Sequence, residues 1–284
     1  MVLYYGLVVV ATILFSLQFL FNQKFQQSYG TGMQSSLVFS LYKSVVIVVV
    51  MACVAAFKLQ FTWFSFLLAV VYSIVSVAMV YLSIKVFEEA NLSVYSVFSM
   101  LGGMLLPFVV GVGFYNEKLS VFQVVCCALI VVAVLLNIKK GEKKKHALFY
   151  YLMVFFLNGM AGVISKIHQD SNVAHVDSAN FMILSSFVTI IISVVWLLIA
   201  YKKAPLIKGK ELLYSSFYGV FNGVGNWLLL ISLIHLPASV QYPLVTGGVM
   251  VLSTVISAIG KEKLTTMDYI SAGIAFVASI CMAF

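Results

Sequence analysis

"TGGVMVLSTVISAIGKEKL", residues 246–264, carries a Gly-Gly pair and, fourteen residues after its second glycine, the run Glu-Lys-Leu. "LGGMLLPFVVGVGFYNEKL", residues 101–119, has the same frame. Gly247 lies 145 positions past Gly102 and Glu262 lies 145 past Glu117, so no residue is gained or lost between them. Six of the nineteen paired positions are identical, and the shared Glu-Lys belongs to residue types that make up only 9% of the chain. The likeness extends outward at an offset of 146, with Tyr4-Tyr5 matching Tyr150-Tyr151, Tyr72 matching Tyr218 and Ser93-Val94 matching Ser239-Val240. One residue is therefore lost between Ser93 and Gly102, and the chain reads as one unit written twice, over 1–139 and 146–284.

Composition says where the unit lives. With 63% apolar residues and a mean hydropathy of +1.09, the chain belongs in a bilayer. An uncharged stretch of about twenty residues spans the ~30 Å hydrocarbon core as a helix, whereas a charge at its centre costs roughly 2.5–3.5 kcal/mol. Cutting at the charges leaves runs at 3–22, 37–57, 61–84, 90–116, 119–138, 147–165, 178–201, 212–234, 236–260 and 264–284. Lys43 interrupts the second run, and Asp268 sits one turn inside the last. Pro237 separates the eighth from the ninth, because proline suits the first turn of a helix and not its middle. Five spans per half is an odd number, so the second copy enters the membrane upside down. The expected fold is an all-α membrane protein of ten transmembrane helices in two inverted five-helix repeats.

A net charge of +8 in a soluble protein would suggest nucleic acid, but these lysines cluster between spans. No nucleic-acid partner is expected; the partners are the lipid bilayer and a small molecule. Lys24, Lys85, five lysines at 139–145, four at 202–210, Lys261 and Lys263 fall in odd-numbered connections, against Lys58, Lys118 and Lys166 in even ones. By the positive-inside rule the odd connections face the cytoplasm and both termini lie outside. The chain contains no arginine. Cys53, Cys126, Cys127 and Cys281 all fall within spans and read as small buried hydrophobes, not as metal ligands or a disulfide framework. Residues 3–22 read as a span and not as a cleaved signal, and no connection is long enough to form a soluble domain.

Polar residues inside spans face either a partner helix or a cavity. Tyr218, Asn222 and Asn226 recur every four residues and so share a face of the eighth span. Tyr72 and Ser76 stand at the matching places of the third. Gln18 and Asn22 are four apart in the first, Asn158 lies in the sixth, and Ser99, Gln241, Tyr242 and Thr246 stud the fourth and ninth. Each could be an interhelical hydrogen bond or a ligand contact; together with Lys43 they make the candidate substrate-binding set. Lys43 has two readings, a stem that snorkels to the interface or an ammonium that faces the cavity and attracts an anion. Gly102, Gly103, Gly247 and Gly248 permit close helix packing, beside Pro107 and Pro243 in the same helices. The two Glu-Lys turns read as interfacial helix ends.

The paired stretches "LSVYSVFSMLGGMLLPFVVGVGFYNEKLS" (92–120) and "LPASVQYPLVTGGVMVLSTVISAIGKEKLT" (236–265) resemble the EamA-like family of the drug/metabolite transporter superfamily. The resemblance covers nearly the whole chain. It implies inverted five-helix repeats around a central cavity, lined mainly by the first, third and fourth helices of each repeat and opening alternately to the two sides. It also implies both termini inside, against the lysine distribution, which belongs to this chain and is preferred. A plasma-membrane, multi-pass transporter acting without a cofactor is the expectation, with a flippase for a lipid-linked precursor or a non-transporting scaffold as alternatives. A monomer with two fused repeats suffices for such a function. An enzyme is not expected: the histidines (146, 168, 175 and 235) lie at span ends or in connections, and no HExxH motif or paired aspartates occur. None of the nine acids is central to a span, so a proton-competing carboxylate at membrane depth is not expected either.

Overall fold

The structure, a computed structural model, describes residues 2–30, 32–89, 92–118, 120–136, 147–202, 205–259 and 266–281. They form ten helices: α1 (Val2–Tyr29), α2 (Met33–Val54), α3 (Trp63–Glu89), α4 (Leu92–Phe114), α5 (Val121–Leu136), α6 (Ala147–Asp170), α7 (Ser178–Tyr201), α8 (Lys210–Leu233), α9 (Ala238–Ile259) and α10 (Thr266–Cys281). No strand occurs among the described residues. Among the described residues six helices are long and apolar enough to cross a membrane: α1, α2, α6, α7, α8 and α9. In α3, α4, α5 and α10 the apolar stretches with described side chains are Trp63–Met79, Phe98–Phe114, Val121–Leu136 and Tyr269–Ala278.

Several helices continue through the charges that bound the apolar runs. α1 passes Lys24, α3 passes Lys85 and Glu88, and α6 passes Lys166 to end at Asp170. Lysine and glutamate are good helix formers, so a charge ends an apolar run without ending the backbone ladder. Other signals stop the helices. Gly30 and Gly32, with φ of 99° and 131°, turn the chain between α1 and α2. Asp177 caps α7 by accepting from the Asn180 amide at 2.8 Å, and Lys202 closes that helix in the left-handed region. Immediately before α9, the Pro237 carbonyl accepts from the amides of Val240 and Gln241, as a proline at a helix start allows.

Packing runs mostly between the first five helices and the last five. α1 lies against α8 and α9, α6 against α3 and α4, α2 against α7 and α8, α7 against α3, α4 against α9, and α5 against α10. Adding or subtracting five from every label returns the same set for these pairs; among the described residues α9 also packs against α10, whereas the matching contact of α4 with α5 is slight. The two halves of the sequence therefore interleave. Lipid gives helices no hydrophobic reason to associate, so small residues set the crossings. A Cβ on Gly102 would collide with the Phe155 backbone where α4 crosses α6, and one on Gly248 would come 2.7 Å from Thr12 where α9 crosses α1. At the α2–α8 crossing a Cβ on Gly219 would sit 2.8 Å from the Lys43 carbonyl. The four cysteines are free; Cys126 and Cys127 are buried, and Cys53 is exposed.

Candidate functional site

The shared face of α8 points at two different neighbours. Asn222 donates to Gln18 Oε1 of α1 at 2.8 Å, and the Tyr218 ring lies under the Lys43 ammonium of α2, 5.3 Å from Nζ to centroid. Phe39, one turn before Lys43, meets the same ring edge-on at 4.7 Å. Asn226 spends its amide on its own helix, donating to the Asn222 carbonyl at 2.8 Å. Asn22 is half-buried and accepts from Gln26 at 3.3 Å. Gln18 and Asn222 thus tie α1 to α8 by a hydrogen bond between side chains, with Lys43 and Tyr218 one helical turn away.

A second group stands where α6 meets α3, α4 and α9. Asn158 donates to the Ser99 carbonyl at 2.6 Å, and a Cβ on Gly103 would sit 2.7 Å from Asn158 Nδ2. Tyr242, almost fully buried, donates to the Gly162 carbonyl at 3.1 Å. Tyr72 meets Phe181 edge-on at 6.1 Å, and Ser76 and Thr246 are half-buried. Gln241 ties α9 to α8 through the Leu229 carbonyl at 2.8 Å, which makes it a structural strut, although its Oε1 has no hydrogen-bond partner. The sequence-derived set therefore divides into a seam on α1, α2 and α8 and a seam on α3, α4, α6 and α9.

One constellation lies outside that set. Lys166, near the end of α6, is buried and pairs with Glu117 at 2.8 Å and with Asp170 at 2.6 Å. Its ammonium also lies 5.2 Å from the Tyr115 ring. The Glu117 carboxylate in turn accepts from the amides of Ala238 and Ser239 at 3.0 and 2.9 Å and from the Ser239 hydroxyl, capping the start of α9. A carboxylate at that position satisfies backbone donors that the helix cannot satisfy itself. Burial opposes ionisation of Glu117, but the hydrogen bonds from Lys166, Ser239 and the Ala238 amide outweigh it and hold the carboxyl below its usual 4.5. Gly111 leaves the room that the carboxylate occupies. One side chain thus joins the α4–α5 connection to α6 and to α9.

A family model described as "Protein of unknown function (DUF981)" matches residues 1–206. The chain belongs to the DUF981 family. The match spans α1 through α7, so in this DUF981 member Gln18, Lys43, Glu117, Lys166 and Asp170 fall inside it, while Tyr218, Asn222 and the start of α9 lie beyond. A solved structure described only as a protein crystal structure is 14% identical over 98% of this chain and 95% of its own, with a TM-score of 0.78, and shares the fold. No curated protein matches the chain.

Reading Glu117 and Glu262 alike as helix ends misses what Glu117 does in this DUF981 fold. The available signal is the repeat itself: an acid kept at a fixed distance from a Gly-Gly pair in both halves has a job beyond solvation. Glu262 and Lys263 lie outside the described residues, as does the side chain of Asp268. A second buried polar group, where α3 begins and α6 ends, is equally illegible in sequence. His168 is fully buried, hydrogen-bonded to Ser65 at 2.9 Å and to Gln169 at 3.0 Å, and stacked on Phe181.

Proposed function

We propose that this DUF981 chain is a membrane transporter of the EamA-like drug/metabolite type, with ten transmembrane helices in two inverted five-helix repeats. It moves a small polar or amphipathic solute by alternating access through a central cavity. The observation that carries the reading is the polar seam on α1, α2 and α8. Gln18, Lys43, Tyr218 and Asn222 stand well inside their helices, where a polar group in lipid is costly and is kept for a use. The packing between the halves supports a repeat: pairs such as α1–α8 with α6–α3, and α2–α8 with α7–α3, map onto each other when five is added or subtracted, as a pseudo-twofold axis requires, and five spans per half make that axis lie in the membrane plane.

Alternating access also needs a contact that holds one end shut and can be released. The Glu117–Lys166–Asp170 group has that character, since its partners sit on three separate elements and its bonds are charged and directional. No step in this reading calls for a catalytic group or cofactor. The flippase alternative draws on a groove of about 610 Å³ between α9 and α10, lined by Val251, Val255, Ile259, Tyr269 and Phe276, which is apolar enough to hold an acyl chain.

The test is flux in proteoliposomes holding the purified protein, with a panel of labelled anionic, neutral, cationic and zwitterionic solutes and, in parallel, a fluorescent lipid scored for transbilayer movement. Saturable solute uptake absent from empty vesicles is expected. Lipid movement without solute uptake would favour the flippase, and neither activity would leave a scaffold.

A further inference from the structure

Lys43 lies ten residues into α2 from Met33 and eleven short of Val54, so roughly 15 Å of helix separates it from either end. Reckoned from Leu37, where the apolar run begins, it is six residues deep; the helix starts a turn earlier, and the interface is correspondingly farther off. The Lys43 side chain lies over the Tyr218 ring at 5.3 Å, toward α8, with Phe39 behind that ring. The ion pairs among the described residues are made by Lys166, and no carboxylate among them lies within ion-pair distance of the Lys43 ammonium. A full charge held mid-membrane by an aromatic face alone lacks its natural counter-ion. Gln18 uses its oxygen to accept from Asn222, which stands one turn along α8 from Tyr218, and so keeps its own amide hydrogens to donate.

We propose that Lys43 anchors a carboxylate subsite, completed by the amide donors of Gln18, and that the solute is a small monocarboxylate with an apolar or aromatic body. The proposal deepens the transport reading and rests on it for flux. Charge count selects the class. One ammonium matches one carboxylate, whereas a phosphate dianion calls for several cations or a guanidinium fork, and the chain has no arginine. A zwitterion's amino group would need an acid of its own. Of the acids whose side chains are described, Glu117 and Asp170 are taken by Lys166, Asp177 caps α7, and Glu211 lies in the first turn of α8. The walls supply the apolar half: Phe21 packs against Phe217 at 5.0 Å and Phe221 at 5.6 Å along the same α1–α8 seam, and Phe39 flanks Tyr218.

Benzoate is the probe, compared with benzylamine, alanine and inorganic phosphate, with binding to detergent-purified full-length protein and uptake into proteoliposomes measured separately. Wild-type protein should bind benzoate in preference to the other three. Lys43→Met should weaken that binding about thirty-fold or more, the scale expected when one partner of a buried charge pair is removed. Lys43→Arg should retain part of the binding, and Gln18→Leu should weaken it severalfold with the ammonium still in place. If Lys43→Met does not elute as a folded monodisperse species, Lys43→Gln and Gln18→Leu carry the comparison. Benzoate binding unchanged by these substitutions, wild-type protein that does not bind benzoate, or a preference for alanine or phosphate each overturns the subsite. Uptake of benzylamine or a neutral solute with no benzoate binding overturns it while leaving transport standing. Lys43-dependent binding without flux does the reverse.

Discussion

The two ends of the helix bundle are fastened by different chemistry. At the end where α6 finishes and α7 and α9 begin, the contacts are polar and directional: Lys166 between two carboxylates, Glu117 on the α9 amides, His168 on Ser65, and Asn180 accepting from the Gln60 amide at 3.0 Å. At the opposite end, where α1 finishes and α2 begins, Phe25, Phe39 and Tyr29 pack together, with Leu37 and Leu197 buried among them. Tyr42 adds a long-range polar tie there, accepting from the Ile207 amide at 3.3 Å and donating to the Pro205 carbonyl at 3.5 Å. Aromatic surfaces slide with little change in energy, whereas a charged hydrogen bond is made or broken. The polar end is therefore built as a lock and the aromatic end as a bearing.

Orientation gives the largest contrast. Three lysines belong to connections at the locked end and thirteen to those at the other, so the locked end and both chain termini should lie outside the cytoplasm. A reporter active only in the cytoplasm, fused after Phe284, should be silent. A strong signal would invert the assignment and place the lock inside. Next in size is Lys166→Met, which leaves two carboxylates facing each other without their cation. With Asp170 partly solvated, the expected loss is about 3 kcal/mol, read as a lowered melting temperature of the purified protein. An unchanged melting point would mean that the lock contributes nothing.

Glu117→Gln should cost less, about 1–2 kcal/mol, because the amide oxygen can still accept from the start of α9. Its pH signature is more specific. Since the folded carboxyl titrates below its usual 4.5, its stabilisation is fully present above that pH and is lost as the pH falls through the folded value. Melting temperature should thus drop in acid for the wild type and drop less for Glu117→Gln; parallel curves would contradict the ion pair. Tyr42→Phe at the bearing end should shift stability by no more than about 0.5 kcal/mol, given the long and half-exposed bonds it loses. A larger loss there would erase the distinction between the ends.

Apolar runs between charges locate every helix of this fold, because hydrophobic length is a property of the chain itself. Ends are read less well. Lys24, Lys85 and Lys166 interrupt hydropathy but not the hydrogen-bond ladder, so α1, α3 and α6 outlast their apolar runs. Periodicity places Tyr218, Asn222 and Asn226 on one face correctly, yet it cannot say that the first turns to α2, the second to α1 and the third to its own backbone. Which helix lies opposite is a tertiary fact. Gly102 and Gly248 are legible as close-packing residues because only a missing side chain explains them at those crossings. Glu117 is illegible as a buried group, since its partners Lys166 and Ser239 are 49 and 122 positions away in a chain whose spacing gives no hint of the pairing.

Interleaving has a consequence for how the protein is made. The principal partners of α1 are α8 and α9, and α8 begins at Lys210, 181 residues after α1 ends at Tyr29. At roughly 5–20 residues per second of synthesis, α1 waits about 10 to 40 s in the membrane before its neighbour emerges. During that time Gln18 and Lys43 have neither Asn222 nor Tyr218 beside them. Assembly is thus a late event in which the second half threads its helices among those of the first, and a ribosome stalled near residue 139 would leave five helices inserted but without most of the partners that hold them together.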